Sequence, residues 1–156
     1  MAGLLVRRLG ATVVLTGTAE ERELVERIYA QIDPAARAAV HCFAGLLPFP
    51  QFCALIASAD LAITNNTGPM HVAAALKTPV IALFALTNPP EQWGPWRVPH
   101  RQLYHDVPCQ LCYSRVCPRG QECQRLVTPD AVVTAADELL SAVRSSRTER
   151  TPVGIG

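Results

Sequence analysis

Residues 60–84, DLAITNNTGPMHVAAALKTPVIALF, constrain this chain more than any other stretch. Residues 60–64 and 79–84 read as buried strands, and a short helix opens between them at Thr67-Gly68-Pro69-Met70-His71. Strand, polar turn, helix, strand is the repeating unit of an open α/β sheet. Such a unit aims the helix start outward from the carboxyl end of a strand, where these sheets bind their ligands. The first N–H groups of a helix have no partner inside it and carry roughly half a positive charge. An anion, most often a phosphate, is the natural occupant. Thr67 suits the N-cap, and Gly68 lets a ligand approach the backbone. Pro69 suits the first turn because its missing N–H would be unpaired anyway. The donors left are Gly68, Met70 and His71, a set that fits a diphosphate better than a single carboxylate. The plainer reading is a well-capped crossover helix in an α/β core, and the residues alone leave both open.

The rest of the chain repeats the alternation. Residues 3–9 read as an amphipathic helix and residues 11–16 as a strand whose unbroken apolar run implies burial on both faces. Residues 20–31 form a helix with acids in the first turn, residues 40–43 a short strand, and residues 49–58 another helix. Beyond the central unit come an irregular stretch, 85–97, a possible strand at 100–105 and a cysteine-rich loop, 109–123. Thr128-Pro129-Asp130 opens a last helix that runs through residue 143. The expected architecture is α/β, a Rossmann-like parallel sheet with helices on both faces, in one domain over residues 1–143 with a frayed tail at 144–156.

Composition bounds the function. With 156 residues, 49% of them hydrophobic and 17% charged, the chain can bury a real core. A formal net charge of +1 and the lack of a basic run interleaved with aromatics argue against a dedicated nucleic-acid binder. No apolar stretch is long enough for a membrane-spanning helix, and the N-terminus lacks the pattern of a secretory leader. The cytoplasm is the default compartment, with at most peripheral contact with a membrane. No G-x-G-x-x-G, Walker loop or convincing nucleophile arrangement is present.

Cys109, Cys112, Cys117 and Cys123 follow the spacing C-x2-C-x4-C-x5-C. Four thiolates so close in sequence can wrap one tetrahedral zinc, and an iron–sulfur cluster takes the same ligands. Disulfides and reduced packing thiols are the other readings. A metal held by four protein ligands would be structural, with no open position for substrate. Cys42 and Cys53, in a strand and a helix, are more simply core residues.

Three segments together resemble a known family, the lipopolysaccharide heptosyltransferases of glycosyltransferase family 9. TNNTGPMHVAAALKTPVIALFALTNPPEQWGPW looks like its donor-binding segment, VVLTGTAEERELVERI like its ribose-side segment, and PCQLCYSRVCPRGQECQRLVTPDAVV like a cysteine-bearing segment near its C-terminus. The resemblance spans about residues 10–143 and, within a two-domain GT-B enzyme, covers only the C-terminal donor domain. It implies a domain whose first strand is missing and an acceptor-binding half that lies elsewhere. It also implies a nucleotide-diphosphate sugar donor, ADP-heptose or a relative, a lipopolysaccharide core acceptor, and direct displacement at the anomeric carbon without a catalytic metal.

Asn66, Thr67, Gly68, Met70, His71 and Thr87 become the candidate donor and diphosphate residues. Fixed N–H dipoles there would stabilise the departing diphosphate, and the His71 side chain could add a donor. Asn66 stands where many members carry an aspartate; an amide positions a hydroxyl but is no base at neutral pH, and it equally suits a turn. Thr16 and Gly17 end a strand at the nucleotide edge. Glu20 and Glu21 match an acidic position that bonds a ribose hydroxyl, although acids at a helix start also complement its dipole. Trp93 and Trp96 can wall the donor or simply pack their loop. Two rival readings remain: an inactive or split nucleotide-binding module without its acceptor domain, and a sugar-nucleotide epimerase of similar architecture.

Overall fold

A computed structural model describes residues 1–114, 116–117 and 119–148. Residue contacts gather the chain into two compact units, Met1–Ala54 and a second that begins at Leu55.

The first unit contains α1 (Ala2–Leu9), β1 (Val13–Leu15), α2 (Arg22–Ala30), α3 (Pro34–Arg37) and β2 (Val40–Cys42). The two strands pair in parallel, Val13 opposite Val40. Helix α1 stops at Gly10, whose φ of 62° puts it in the left-handed region that glycine enters freely, and its N–H reaches the Val6 carbonyl. Asp33 caps α3 by accepting from the Ala35 N–H at 2.9 Å, with Pro34 in the first helical position. Ala2, Ile32, Ala36 and Val40 form the core, with Val6, Val13, Leu15 and Tyr29 packed against it. Residues 11–16 are not buried on both faces as their apolar run implied. Every residue of β1 is half-buried, because a two-stranded ladder covers less of each strand than the centre of a wide sheet does. Helix α4 (Phe49–Ser58) has the bounds expected from sequence.

The second unit contains β3 (Ala62–Asn65), α5 (Gly68–Ala75), β4 (Val80–Leu83), α6 (Pro90–Trp93), β5 (His100–Leu103), α7 (Glu122–Arg125) and α8 (Pro129–Thr148). Its three strands are parallel in the order β3-β4-β5, with Ala62 opposite Val80 and Val80 opposite His100. Strand β4 lies in the middle, and both α5 and α8 pack on it. Val80, Ile81, Ala82 and Phe84 are accordingly fully buried, which explains the unbroken apolar sequence there. Met70 and Ala73 of α5 are equally buried, so the small residues of this helix let it lie close on the sheet. Thr128 caps α8, its hydroxyl accepting from the Ala131 N–H at 3.2 Å. The helix continues through Thr148, beyond the boundary expected at residue 143, so residues 144–148 of the expected tail are helical; residues 149–156 lie outside the described set.

Thr78, just before β4, is 3% exposed and donates its hydroxyl to the Ile56 carbonyl at 2.8 Å. Thr78→Val keeps the shape and removes this bond, while the same carbonyl still accepts from the Ala59 N–H at 3.1 Å. The expected loss is about 1 kcal/mol of unfolding free energy, measurable by urea titration.

Candidate functional site

The carboxyl ends of β3 and β4 carry the candidate donor residues. After Asn65 the chain turns tightly: the Thr67 N–H donates to the Asn65 carbonyl at 2.8 Å, and Thr67 itself is extended, with φ −132°. The Asn66 N–H continues the ladder to the Leu83 carbonyl at 3.1 Å, while its side-chain oxygen accepts from the Ala85 N–H at 3.1 Å. Asn66 therefore ties the turn after β3 to the loop after β4. Among the described residues its amide NH2 makes no hydrogen bond, and it can donate, the capacity an aspartate would lack.

Two expectations about the helix start need correction. Thr67 occupies the N-cap position, but its hydroxyl makes no capping bond; its nearest acceptor is the Asn65 carbonyl at 3.5 Å. The Met70 N–H, expected to be open, donates to the Thr67 carbonyl at 3.0 Å, because the first turn of α5 winds tightly around Pro69. The Met70 side chain is fully buried and serves the core. Among the described residues, the N–H groups of Gly68 and His71 donate to nothing outside the helix. Beyond its chain neighbours, a Cβ built on Gly68 would meet nothing within 4 Å, so that side of the residue is open. The His71 side chain is exposed, with no hydrogen bond among the described residues. Among the described residues, the Gly68 and His71 amides make no bond outside the helix, the His71 imidazole makes none, and the Thr67 hydroxyl reaches only the Asn65 carbonyl at 3.5 Å.

Thr87 is half-buried in the loop that Asn66 grips, and its N–H and hydroxyl both turn back to the Ala85 carbonyl, at 2.7 and 3.4 Å. Two residues missed in the sequence brace the same edge. Gln124 of α7 donates through Nε2 to the Asn65 side-chain oxygen at 3.0 Å and to the Leu83 carbonyl at 3.3 Å. No periodicity or motif marks either residue; only the fold brings α7 to the ends of β3 and β4. Trp93 and Trp96 are 52% and 71% exposed, so neither is a packing group of its loop; Arg97 stacks on Trp96 at 5.2 Å.

Thr16, Gly17, Glu20 and Glu21 belong to the first unit, at the carboxyl end of β1. Thr16 is exposed. Gly17 is hemmed in: a Cβ there would stand 3.1 Å from the Glu21 carboxylate and 3.3 Å from Val25. The Glu21 carboxylate accepts from the Thr18 N–H at 2.8 Å and so secures the turn into α2. The carboxyl of Glu20 is held below its ordinary value by its own backbone N–H and then by the Thr18 hydroxyl. That stabilisation is present above the ordinary carboxylate range and fades as pH falls through the lowered value. Both acids thus have local duties at a helix start.

The cysteine loop also comes together. Cys109, Cys112, Cys117 and Cys123 line one cavity of about 70 Å³, along with Leu86 and Thr87. All four are free thiols. Among the described residues, no three His, Cys, Asp or Glu side chains stand close enough to hold a metal ion as they are.

This geometry can be set beside known proteins. The model for "Glycosyltransferase family 9 (heptosyltransferase)" matches residues 4–122. The chain belongs to this family. It is 34% identical over 122 residues to lipooligosaccharide heptosyltransferase 2 of Campylobacter jejuni, covering 77% of this chain and 38% of that protein. With lipopolysaccharide heptosyltransferase 2 of Escherichia coli it shares 38% identity over 80 residues, 51% of this chain and 23% of the relative. Among solved structures, E. coli ADP-heptose LPS heptosyltransferase II superimposes with a TM-score of 0.74 at 26% identity, covering 91% of this chain and 41% of that one. The family 9 glycosyltransferase from Veillonella parvula gives 0.76 at 23% identity and 90% coverage of this chain, a likeness of fold. The family member described here thus spans about two fifths of the length of such relatives. Among the described residues no helix is long and apolar enough to cross a membrane.

Proposed function

We propose that this family 9 chain is the donor-binding part of a heptosyltransferase. It holds a nucleotide-diphosphate sugar, ADP-heptose or a close relative, at the start of α5. The observation that supports the reading is the helix start at Gly68–His71, whose Gly68 and His71 amides make no bond outside the helix, at the carboxyl edge of a parallel sheet and inside the segment that the family match covers. The diphosphate lies against these N–H groups, with the Thr67 hydroxyl and the His71 imidazole as further donors. Its charge grows as the sugar–phosphate bond breaks, and donors already fixed in place stabilise that charge without reorganising. Asn66 positions a hydroxyl or phosphate oxygen through its amide NH2. Thr87 gives its hydroxyl to the same group once released from Ala85. Thr16 and Gly17 line the nucleoside side, and Glu20 or Glu21 meets the ribose by giving up its bond at the start of α2.

The sugar passes to a lipopolysaccharide core acceptor held by a partner domain, at the cytoplasmic face of the inner membrane. Displacement is direct, with inversion and no catalytic metal. Because relatives of this family are more than twice as long, the chain alone is expected to bind nucleotide without turning it over.

Calorimetric titration tests the reading. ADP should bind with a dissociation constant near the millimolar range, roughly −4 kcal/mol, and ADP-heptose should compete with it. No heat from either ligand at several millimolar would remove the proposal.

A further inference from the structure

The four thiols of the cysteine loop take no part in donor binding, and their placement carries a separate site. Cys109, Cys112, Cys117 and Cys123 converge on one small cavity although they are spread over a loop and a helix. Cys109 and Cys112 are exposed and the other two half-buried, so none is a core residue filling apolar space. The Gln121 N–H already donates to the Cys117 sulfur at 3.2 Å, a bond that orients the side chain.

The backbone around the thiols is fastened to the sheet edge. The Leu111 and Cys112 N–H groups donate to the Leu86 carbonyl at 2.8 and 3.3 Å, and the Tyr113 N–H to the Thr87 carbonyl at 3.1 Å. The His105 N–H donates to the Cys123 carbonyl at 2.7 Å. The first cysteine pair is therefore anchored on the Thr87 loop, and the last cysteine on the chain leaving β5.

We propose that these four cysteines bind one zinc ion as a structural tetrathiolate, and that the ion clamps the loop carrying Thr87. Zinc favours four sulfur ligands in a tetrahedron at about 2.3 Å. No three of the four stand close enough to hold an ion as they are, so binding has to draw the sulfurs together. Each thiol releases its proton to solvent as its sulfur coordinates. Four protein ligands leave no position for substrate, which makes the ion a brace and not a reactant. The metal site stands apart from the donor-binding reading; only its effect on Thr87 rests on that reading.

The full chain, purified under reducing conditions without chelators, should carry about one zinc by mass spectrometric metal analysis. Cys112→Ser with Cys117→Ser should lose it, and Cys42→Ser should keep it. Should the double variant fail to fold, cobalt added to chelator-stripped wild type should give the visible absorption of a tetrahedral thiolate site. Stripping should lower the thermal midpoint by roughly 5 °C or more, weaken ADP severalfold, and be reversed by zinc. A chain that carries no metal and gives no cobalt spectrum overturns the site, as does iron with acid-labile sulfide. Unchanged ADP affinity on stripping overturns the clamp. If ADP binds neither form while zinc is present, the zinc site stands and the donor reading falls.

Discussion

Phe84→Ala should cost about 3–5 kcal/mol, enough to leave a large share of the second unit unfolded at 37 °C. Phe84 is the largest of the fully buried side chains and follows directly on β4. Its N–H is fixed to the Leu103 carbonyl at 2.8 Å, so the backbone cannot move to fill the space the ring leaves. Deleting a buried aromatic ring loses its transfer free energy and adds the cost of the cavity. Domains of this size have only about 5–15 kcal/mol in total. Urea unfolding followed by circular dichroism measures the loss, with Trp96→Ala as the comparison. Trp96 is 71% exposed, and its removal should stay within about 0.5 kcal/mol.

Gly68→Val should do the reverse, costing about 1 kcal/mol of stability at the bond to Pro69 and weakening nucleotide binding at least about tenfold, or 1.4 kcal/mol. Gly68 is not among the glycines with positive φ, so the strain a side chain meets there is confined to the Pro69 ring that follows it. Beyond its chain neighbours, the space where its Cβ would sit is open. What the isopropyl group does meet is a ligand approaching the Gly68 amide. Calorimetry with ADP, paired with a thermal melt, separates the two effects. Wild-type affinity in a stable Gly68→Val variant means that the helix start is not the site.

The central unit was legible because its two signals agree. An unbroken apolar run at 79–84 implies a strand covered on both faces, and the polar turn that follows residue 64 belongs at the open end of such a sheet. Element ends were less legible. The expected helix at 20–31 begins in the structure at Arg22, because Thr18, Glu20 and Glu21 build the turn before it. The short helices α3, α6 and α7 carry no periodic pattern in sequence; α6 and α3 start on proline at the first helical position and last a single turn.

The site was legible in part. The Gly68 and His71 amides make no bond outside the helix, whereas the Met70 amide turns back to the Thr67 carbonyl, since proline at position 69 tightens the turn in a way spacing cannot reveal. The link from Gln124 to Asn65 joins residues 59 apart in sequence, and composition carries no sign of it. The four cysteines were readable as a set from their spacing, but the cavity they share with Leu86 and Thr87 needed the fold.

The most direct measurement of the central claim is an amide-resolved NMR titration of the labelled chain with ADP. The largest shifts should fall on the Gly68 and His71 amides, with smaller ones at Asn66 and Thr87, and all should disappear in Gly68→Val. Saturable shifts confined to other residues, with these amides unmoved, would contradict the account.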